Sequence, residues 1–566
     1  MKHFGLLMIM VMGIGMGMVH CGAVVKKFAA DQMKDPAGRM YTSKQESLEL
    51  SMLGPAVNSS QAESSPIISP DGKTLLFIRL FPHSIGLPES YIYQSQWESN
   101  GWSPAVRAEE PLNRLPINEL GSMTADGQTL VFSSRKNVGI YSDRGDDSSK
   151  VHKSISAGIQ MAVKKEGQFE IVETIRFFQG RKTVPYKNIF GSYSQMPEPS
   201  FVNPTLSSDG ATLLFGCDVE GGYGGFDLYM SRRNPDGTWQ EPVNLGGRIN
   251  TVGNEICPFL HADNQTLYFS SNGLPGIGLY DIYRSVMQSD GWSYPELIGS
   301  PVSSPSADVG FSIAARGDSA WMASNRNHPD NIFDYDIFAM PVQSGFAPQS
   351  VLMLSGTVTD GGAVTDGGTV TDRGAGKPME CPITIEDLGQ TRKLYQMQSD
   401  FTTGQYAVTL PKGCHYSISA SSPGYTFFSA DLDLSGTIPE RERRLDIVLW
   451  PIKKGIHLTL HNLFFDLNSD RIKPESELEL QRTADLLKNY TQFQIEIAGH
   501  TDSTGTVVYN KKLSEKRALA VKKRLSELGI PSATLKAVGY GPDLPVAPND
   551  SEESRAKNRR VELVFQ

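Results

Sequence analysis

Asp502 and Arg517, fifteen residues apart near the C-terminus, are the side chains in this sequence best suited to hold a small charged molecule. A carboxylate takes an ammonium group, and a guanidinium offers a planar two-pronged donor to a second carboxylate. Together they describe a receptor for a zwitterion. They belong to one phrase, Gly499-His500-Thr501-Asp502-Ser503-Thr504-Gly505, continuing through Tyr509-Asn510 and Leu513-Ser514 to Arg517-Ala518. Asn510 joins the set either as a ligand contact or as a residue that fixes the turn. Ser514 reads as the N-cap of the helix carrying Arg517, an arrangement that would aim unpaired N–H groups at a carboxylate. Arg555 is left out of the set. Of the neighbours Arg559 and Arg560, strand alternation assigns the structural role to Arg560.

Positioning such a pair takes a strand that ends just before Asp502 and a helix that folds back along it. The strand is Phe493-Gln494-Ile495-Glu496-Ile497. A strand around Ile456 to Phe465 and a helix after Pro474 precede it, the helix with Leu480, Thr483, Ala484 and Leu487 on one face. The helix of Arg517 turns Ala518, Val521, Leu525 and Leu528 inward and stops at Gly529-Ile530-Pro531. A strand at Ala537-Val538 and a last one, Val561-Glu562-Leu563-Val564-Phe565, complete a β-α-β-α-β pattern on a small mixed sheet over residues 451–566.

Residues 456–566 resemble the OmpA-like, peptidoglycan-binding C-terminal domain. The likeness is carried by Gly499-His500-Thr501-Asp502, Tyr509-Asn510, Leu513-Ser514, Arg517-Ala518 and Asn558-Arg559-Arg560-Val561-Glu562-Leu563. The resemblance implies that Asp502 and Arg517 clasp the diaminopimelate side chain of a peptidoglycan stem peptide, which ends in an amine and a carboxylate on one carbon.

Upstream, residues 60–345 repeat. Ser69-Pro70-Asp71-Gly72, Thr124-Ala125-Asp126-Gly127 and Ser207-Ser208-Asp209-Gly210 each lead into an apolar run, with weaker copies at Asp263 and Asp318. The interval is about 55 residues, once about 83, and suits a four-stranded repeating sheet. Asp-Gly supplies the positive-φ position of a hairpin turn, so these aspartates read as turn formers rather than metal ligands. The segment resembles the β-propeller repeats of TolB and related periplasmic proteins. Five copies are visible; a closed propeller of six blades is expected, with five as the alternative. It carries no G-x-S-x-G elbow and no H-E-x-x-H.

Residues 352–450 alternate short strands and turns and are similar to the carboxypeptidase regulatory-like sandwich, expected to act as a spacer. A stuttered turn places Asp360, Asp366 and Asp372 six residues apart, read as a flexible loop rather than a calcium site. Cys217 with Cys257, and Cys381 with Cys414, either pair as disulfides or stay buried thiols.

At the N-terminus Lys2 precedes an apolar run, Leu6 to Val19, too short to span a bilayer and typical of an export signal (residues 1–23). Two processing routes are open, lipidation of Cys21, placed first, and cleavage after Ala23. A polar leader covers residues 24–59. With a formal net charge of −9, the chain has no footprint for nucleic acid.

The expectation is therefore a multidomain protein: an all-β propeller, a small β-sandwich, then an α/β OmpA-like domain. Its function is that of a non-enzymatic anchor or scaffold on the periplasmic side of the outer membrane. It would bind peptidoglycan and offer the propeller to an envelope complex, with no cofactor and no metal. The modular order resembles envelope scaffold proteins of the Bacteroidetes type. The alternative is a hydrolase whose activity lies in the propeller and whose terminal domain only localises it. A porin-like barrel lacks the series of spanning strands it would need.

Overall fold

A computed structural model describes residues 49–566, except 82–88, 116, 125, 141–150, 166, 185, 188–192, 195–197, 235, 332–333, 362–375, 390–391, 437 and 467. The export signal, Cys21, Asp366 and Asp372 lie outside the described residues. The chain divides into two compact units, one of which holds the repeats and the other most of the chain from Ser355 onward.

In the first unit each repeated turn builds itself. The Asp209 carboxylate accepts the Ser207 hydroxyl and the Ala211 N–H, while Ser207 Oγ accepts the Thr212 N–H. Asp71 and Asp126 do the same in their own turns. Behind each turn the apolar run pairs as an antiparallel meander. The third, for example, orders Phe201–Leu206, Thr212–Cys217, Asp227–Arg232 and Val243–Asn244.

Five such meanders occur among the described residues, against the six expected. They begin at Ala62–Ile68, Ile117–Met123, Phe201–Leu206, Glu255–Leu260 and Asp308–Ile313. The first two are joined by the bridge Ser90↔Ile117 into one nine-stranded sheet. Among the described residues the long interval holds no extra meander; the second is itself enlarged by the hairpin Thr129–Ile140 and Val151–Lys165.

Each meander shares a core with the next, as Leu214 and Leu228 of the third do with Leu267 and Phe269 of the fourth. The fifth packs back on the first through Trp321, Ile337, Leu75 and Phe77. Its sheet is completed by Ser51–Met52 from the start of the described chain. The five leading strands contribute Ser65, Glu119, Asn203, Cys257 and Val309 to the lining of one cavity of about 40 Å³.

The cysteines do not pair: all four are free thiols. Cys257 faces that cavity and donates to Asn203 Oδ1 at 3.3 Å, with burial pushing its pKa up to about 12. Cys217 is sealed in the core shared by the second and third meanders. Cys381 donates to the Ser421 carbonyl at 3.3 Å, and Cys414 is half-buried.

The second unit holds two sheets that position the site. One orders β2 (Arg392–Gln398), β1 (Pro382–Asp387), β3 (His415–Ala420) and β4 (Phe428–Asp433), antiparallel throughout. The other orders β5 (His457–Thr459), β8 (Val561–Phe565), β6 (Ile495–His500) and β7 (Leu535–Gly541). It is mixed, since β6 runs parallel to β7 and antiparallel to β8. Helices α1 (Glu477–Lys488) and α2 (Val507–Glu527) cover one face, burying Leu480, Ala484, Leu487, Ala518, Val521 and Leu525 against Ile495, Ile497, Leu563 and Phe565. A short helix, α3 (Glu552–Asn558), not anticipated from the sequence, precedes β8. Phe427, from the segment expected to form a sandwich, belongs to the α/β core.

Candidate functional site

The expected strand and helix do meet at Asp502, with the helix starting earlier than expected. Thr506, with extended backbone, is the N-cap of α2, its hydroxyl accepting the Tyr509 N–H. Ser514 therefore lies two turns inside the helix and caps nothing. Its hydroxyl donates to the Lys511 carbonyl at 2.9 Å and accepts the Gly541 N–H at 3.0 Å, stitching α2 to the end of β7. The correction has a sequence signal, a threonine just after Gly505, whose φ of +94° breaks the chain before the helix.

Two glycines bring α2 down onto the sheet. A Cβ at Gly499 would sit 2.3 Å from the Ser514 carbonyl oxygen, and one at Gly539 would sit 2.4 Å from the Glu515 nitrogen. Only glycine permits that approach, and Arg517 follows one turn after the contact.

Asp502 is buried but not idle. One carboxylate oxygen accepts the Thr504 N–H at 2.9 Å and the other accepts Arg559 Nη1 at 2.8 Å. Burial raises its pKa, and the Arg559 and Thr504 hydrogen bonds outweigh that and hold it below the ordinary carboxylate value. Arg559 reaches on to Glu552 at 2.7 Å. Asn510, 3% exposed, donates its amide hydrogens to the carbonyls of Asp502 and Thr504, at 3.3 and 3.0 Å. Of its two expected roles, this is the turn-fixing one.

Arg517 stands differently. Its Nε donates to the Ser469 carbonyl at 3.0 Å, and its guanidinium carbon lies 4.9 Å from the centre of the Phe465 ring. Neither terminal nitrogen has a hydrogen-bond or ion-pair partner among the described residues. Burial first, and the charge of Arg559 second, lower its pKa from the usual guanidinium value. The guanidinium stays charged at neutral pH. The site thus alternates in sign, Arg517, Asp502, Arg559, Glu552, and its open valence is a fork for a carboxylate. An ammonium on the same ligand carbon would use the remaining lone pairs of Asp502.

Arg559 is the residue sequence reasoning missed, and the run Asn558-Arg559-Arg560 held the signal. Asn558 fixes the neighbouring loop through Val546 and Ala547, Arg559 turns to Asp502, and Arg560 pairs with Glu562. Arg555 is occupied by Glu552 on its own helix. His500 is buried against Tyr540, their rings 5.4 Å apart, and burial keeps it neutral with a pKa of about 4.

A four-stranded mixed sheet under two helices, with an acid–base row at the end of its central strand, defines a small α/β domain. Residues 464–559 match the model of the OmpA family, and through this domain the chain belongs to that family. The peptidoglycan-associated lipoprotein of Buchnera aphidicola is 34% identical over 125 residues, 22% of this chain and 69% of that protein. Outer membrane porin F of Pseudomonas aeruginosa is 46% identical over 99 residues, 17% of this chain and 28% of the porin. The crystal structure of the peptidoglycan-associated lipoprotein from Burkholderia pseudomallei is 42% identical, covering 18% of this chain and 88% of that one, with a TM-score of 0.18. The chain spans 14% to 34% of the length of the longer curated relatives that it matches.

Proposed function

We propose that this protein is a non-enzymatic anchor of the cell envelope that grips peptidoglycan through its C-terminal domain. The observation that carries the reading is Arg517, a half-buried guanidinium braced by Ser469 and Phe465 with its fork unspent, set beside a charged Asp502. A diaminopimelate side chain offers the matching carboxylate and ammonium on one carbon. The carboxylate meets Arg517, the ammonium meets Asp502, and Arg559 and Asn510 hold Asp502 and its loop in place. The peptidoglycan-associated names among the relatives favour this ligand over other zwitterions.

The five meanders form a closed five-bladed propeller in this reading. The return of the fifth onto the first and the cavity lined from all five leading strands support it. Its role is to present a surface to a protein or glycan partner in the envelope. Residues 1–23 export the chain, and acylated Cys21 holds it to the outer membrane on the periplasmic side. One partly exposed charge pair binds weakly, so retention comes from many copies on one polymer.

Sedimentation with purified sacculi tests the site. Wild type is expected in the pellet and the Asp502→Ala, Arg517→Ala double variant in the supernatant; equal retention of the two would sink the assignment.

A further inference from the structure

Arg517 is held by two residues, Phe465 and Ser469, that belong to neither the strand nor the helix of the site. They sit in the segment 462–476, whose described residues form no α-helix or long strand of their own, only a 3-10 turn at Pro474–Ser476. Its internal ties include the bridge Phe465↔Ile472, the Asp466 N–H to Arg471 carbonyl bond of 3.1 Å, the Lys473 N–H to Phe464 carbonyl bond of 3.0 Å, and Ser476, whose hydroxyl accepts the Phe464 N–H at 2.7 Å, and Leu463, Phe465 and Ile472 rest against the α/β core. Its two ends rest on the sandwich. At the first, Asn462 is 2% exposed and donates to Ser417 Oγ at 2.9 Å and to the Ala430 carbonyl at 3.4 Å.

At the second end α1 begins, and its first turns are also gripped. Glu479 is fully buried and accepts the Ser429 hydroxyl at 2.6 Å. Arg482, one turn on, donates to Ser417 Oγ at 3.2 Å and pairs with Glu386. Beyond the helix, Tyr490 accepts the Gly424 N–H on its hydroxyl at 3.1 Å. Burying Glu479 and half-burying Arg482 at such a contact is costly unless hydrogen bonds in a fixed geometry offset it, which favours one docked position.

We propose that the sandwich positions the carboxylate half of the ligand site: by clamping Asn462 and α1 it fixes the segment whose Phe465 and Ser469 hold Arg517. The sandwich touches no ligand itself, and Asp502, built from β6, α2 and the approach to β8, is independent of it. The ligand side of this inference rests on the peptidoglycan reading, while the clamp does not.

The test uses the full chain carrying Glu386→Gln, Ser417→Ala and Ser429→Ala, all within the sandwich. Hydrogen exchange in residues 462–476 and α1 is expected to quicken about tenfold or more while β6 keeps its protection, because only the clamp has been opened. Discrimination between a diaminopimelate stem peptide and a lysine one is expected to shrink in the same variant. Only the former carries the carboxylate for Arg517, and a general loss of stability would weaken both alike. Unchanged exchange in residues 462–476 would overturn the proposal, as would loosening with discrimination intact. If β6 loses protection too, Ser417→Ala alone is judged by the same two criteria. Failure of the wild type to bind either peptide would count against the peptidoglycan reading and leave the exchange criterion to decide the clamp.

Discussion

Aspartates stand at the key turn of both the repeats and the C-terminal domain, and they are used in opposite ways. Asp71, Asp126 and Asp209 give their carboxylates to the hydroxyl and N–H groups of their own turns. Asp502 also accepts the N–H two residues on, but it takes Arg559 from a distant part of the chain and lies beside a guanidinium whose terminal nitrogens have no hydrogen-bond or ion-pair partner among the described residues. The recurring residue in the repeats is spent on its own turn, and the singular one in the C-terminal domain is the one that the proposed function gives to a ligand. Residue type does not distinguish the two; the accounting of hydrogen-bond partners does.

The largest effect expected from that contrast is on stability in the repeats. Phe269→Ala empties a fully buried position shared by two meanders and should cost about 3–5 kcal/mol of unfolding free energy. Chemical denaturation of the variant measures it, and sacculus binding by the folded protein is expected to persist. Loss of binding without unfolding would break the separation between a scaffold and a site.

Next in size, Arg517→Ala should weaken ligand binding about 10- to 100-fold, the worth of a charge-assisted hydrogen-bonded pair. Its unfolding midpoint should move little, since its terminal nitrogens bond to nothing among the described residues and only the Nε bond to Ser469 and the contact with the Phe465 ring are lost. Arg517→Lys, lacking the fork, is expected to recover only part of the affinity.

Asp209→Ala should reverse the pattern, costing about 1 kcal/mol of stability and no affinity. The same denaturation and binding measurements check it, and lost affinity would mean that the turn aspartates do more than turn.

Smallest is the acid limb of stability. The pKa of Asp502 is lowered in the folded state, so its contribution is fully present above the ordinary carboxylate pKa. It fades as pH falls through the lowered value. Arg559→Ala removes the main lowering partner and should flatten this limb in a pH series of melting curves; an unchanged limb would mean that Arg559 does not hold Asp502 charged.

Much of this was legible from local pattern. The Asp-Gly turns, the apolar runs behind them and the faces of α1 and α2 follow from periodicity and turn chemistry. Asp502 and Arg517 were legible because strand end and helix lie close in sequence. Arg559 was not, since its partner is 57 residues away and nothing local separates it from Arg560. Glu479 was hidden for the same reason, a charged residue on an exposed-looking helix position that is buried against Ser429, 50 residues away in the chain. The thiols stay unpaired, the second of the two expected outcomes, with Cys217 buried among apolar neighbours, Cys257 and Cys381 donating to Asn203 and the Ser421 carbonyl, and Cys414 half-buried. Six blades were expected because the long interval looked like a hidden repeat, whereas its described residues form an extended hairpin, one more strand paired to it and a second, two-residue hairpin.

The central claim, a ligand carboxylate held by Arg517 beside an ammonium held by Asp502, is tested most directly by calorimetric titration of the full chain with two stem peptides. One ends its third side chain in diaminopimelate and the other in lysine, which keeps the ammonium and lacks the carboxylate. The expected result is binding of the diaminopimelate peptide, much weaker binding of the lysine peptide, and no difference between them in Arg517→Ala. Equal affinity for both peptides in the wild type would contradict it.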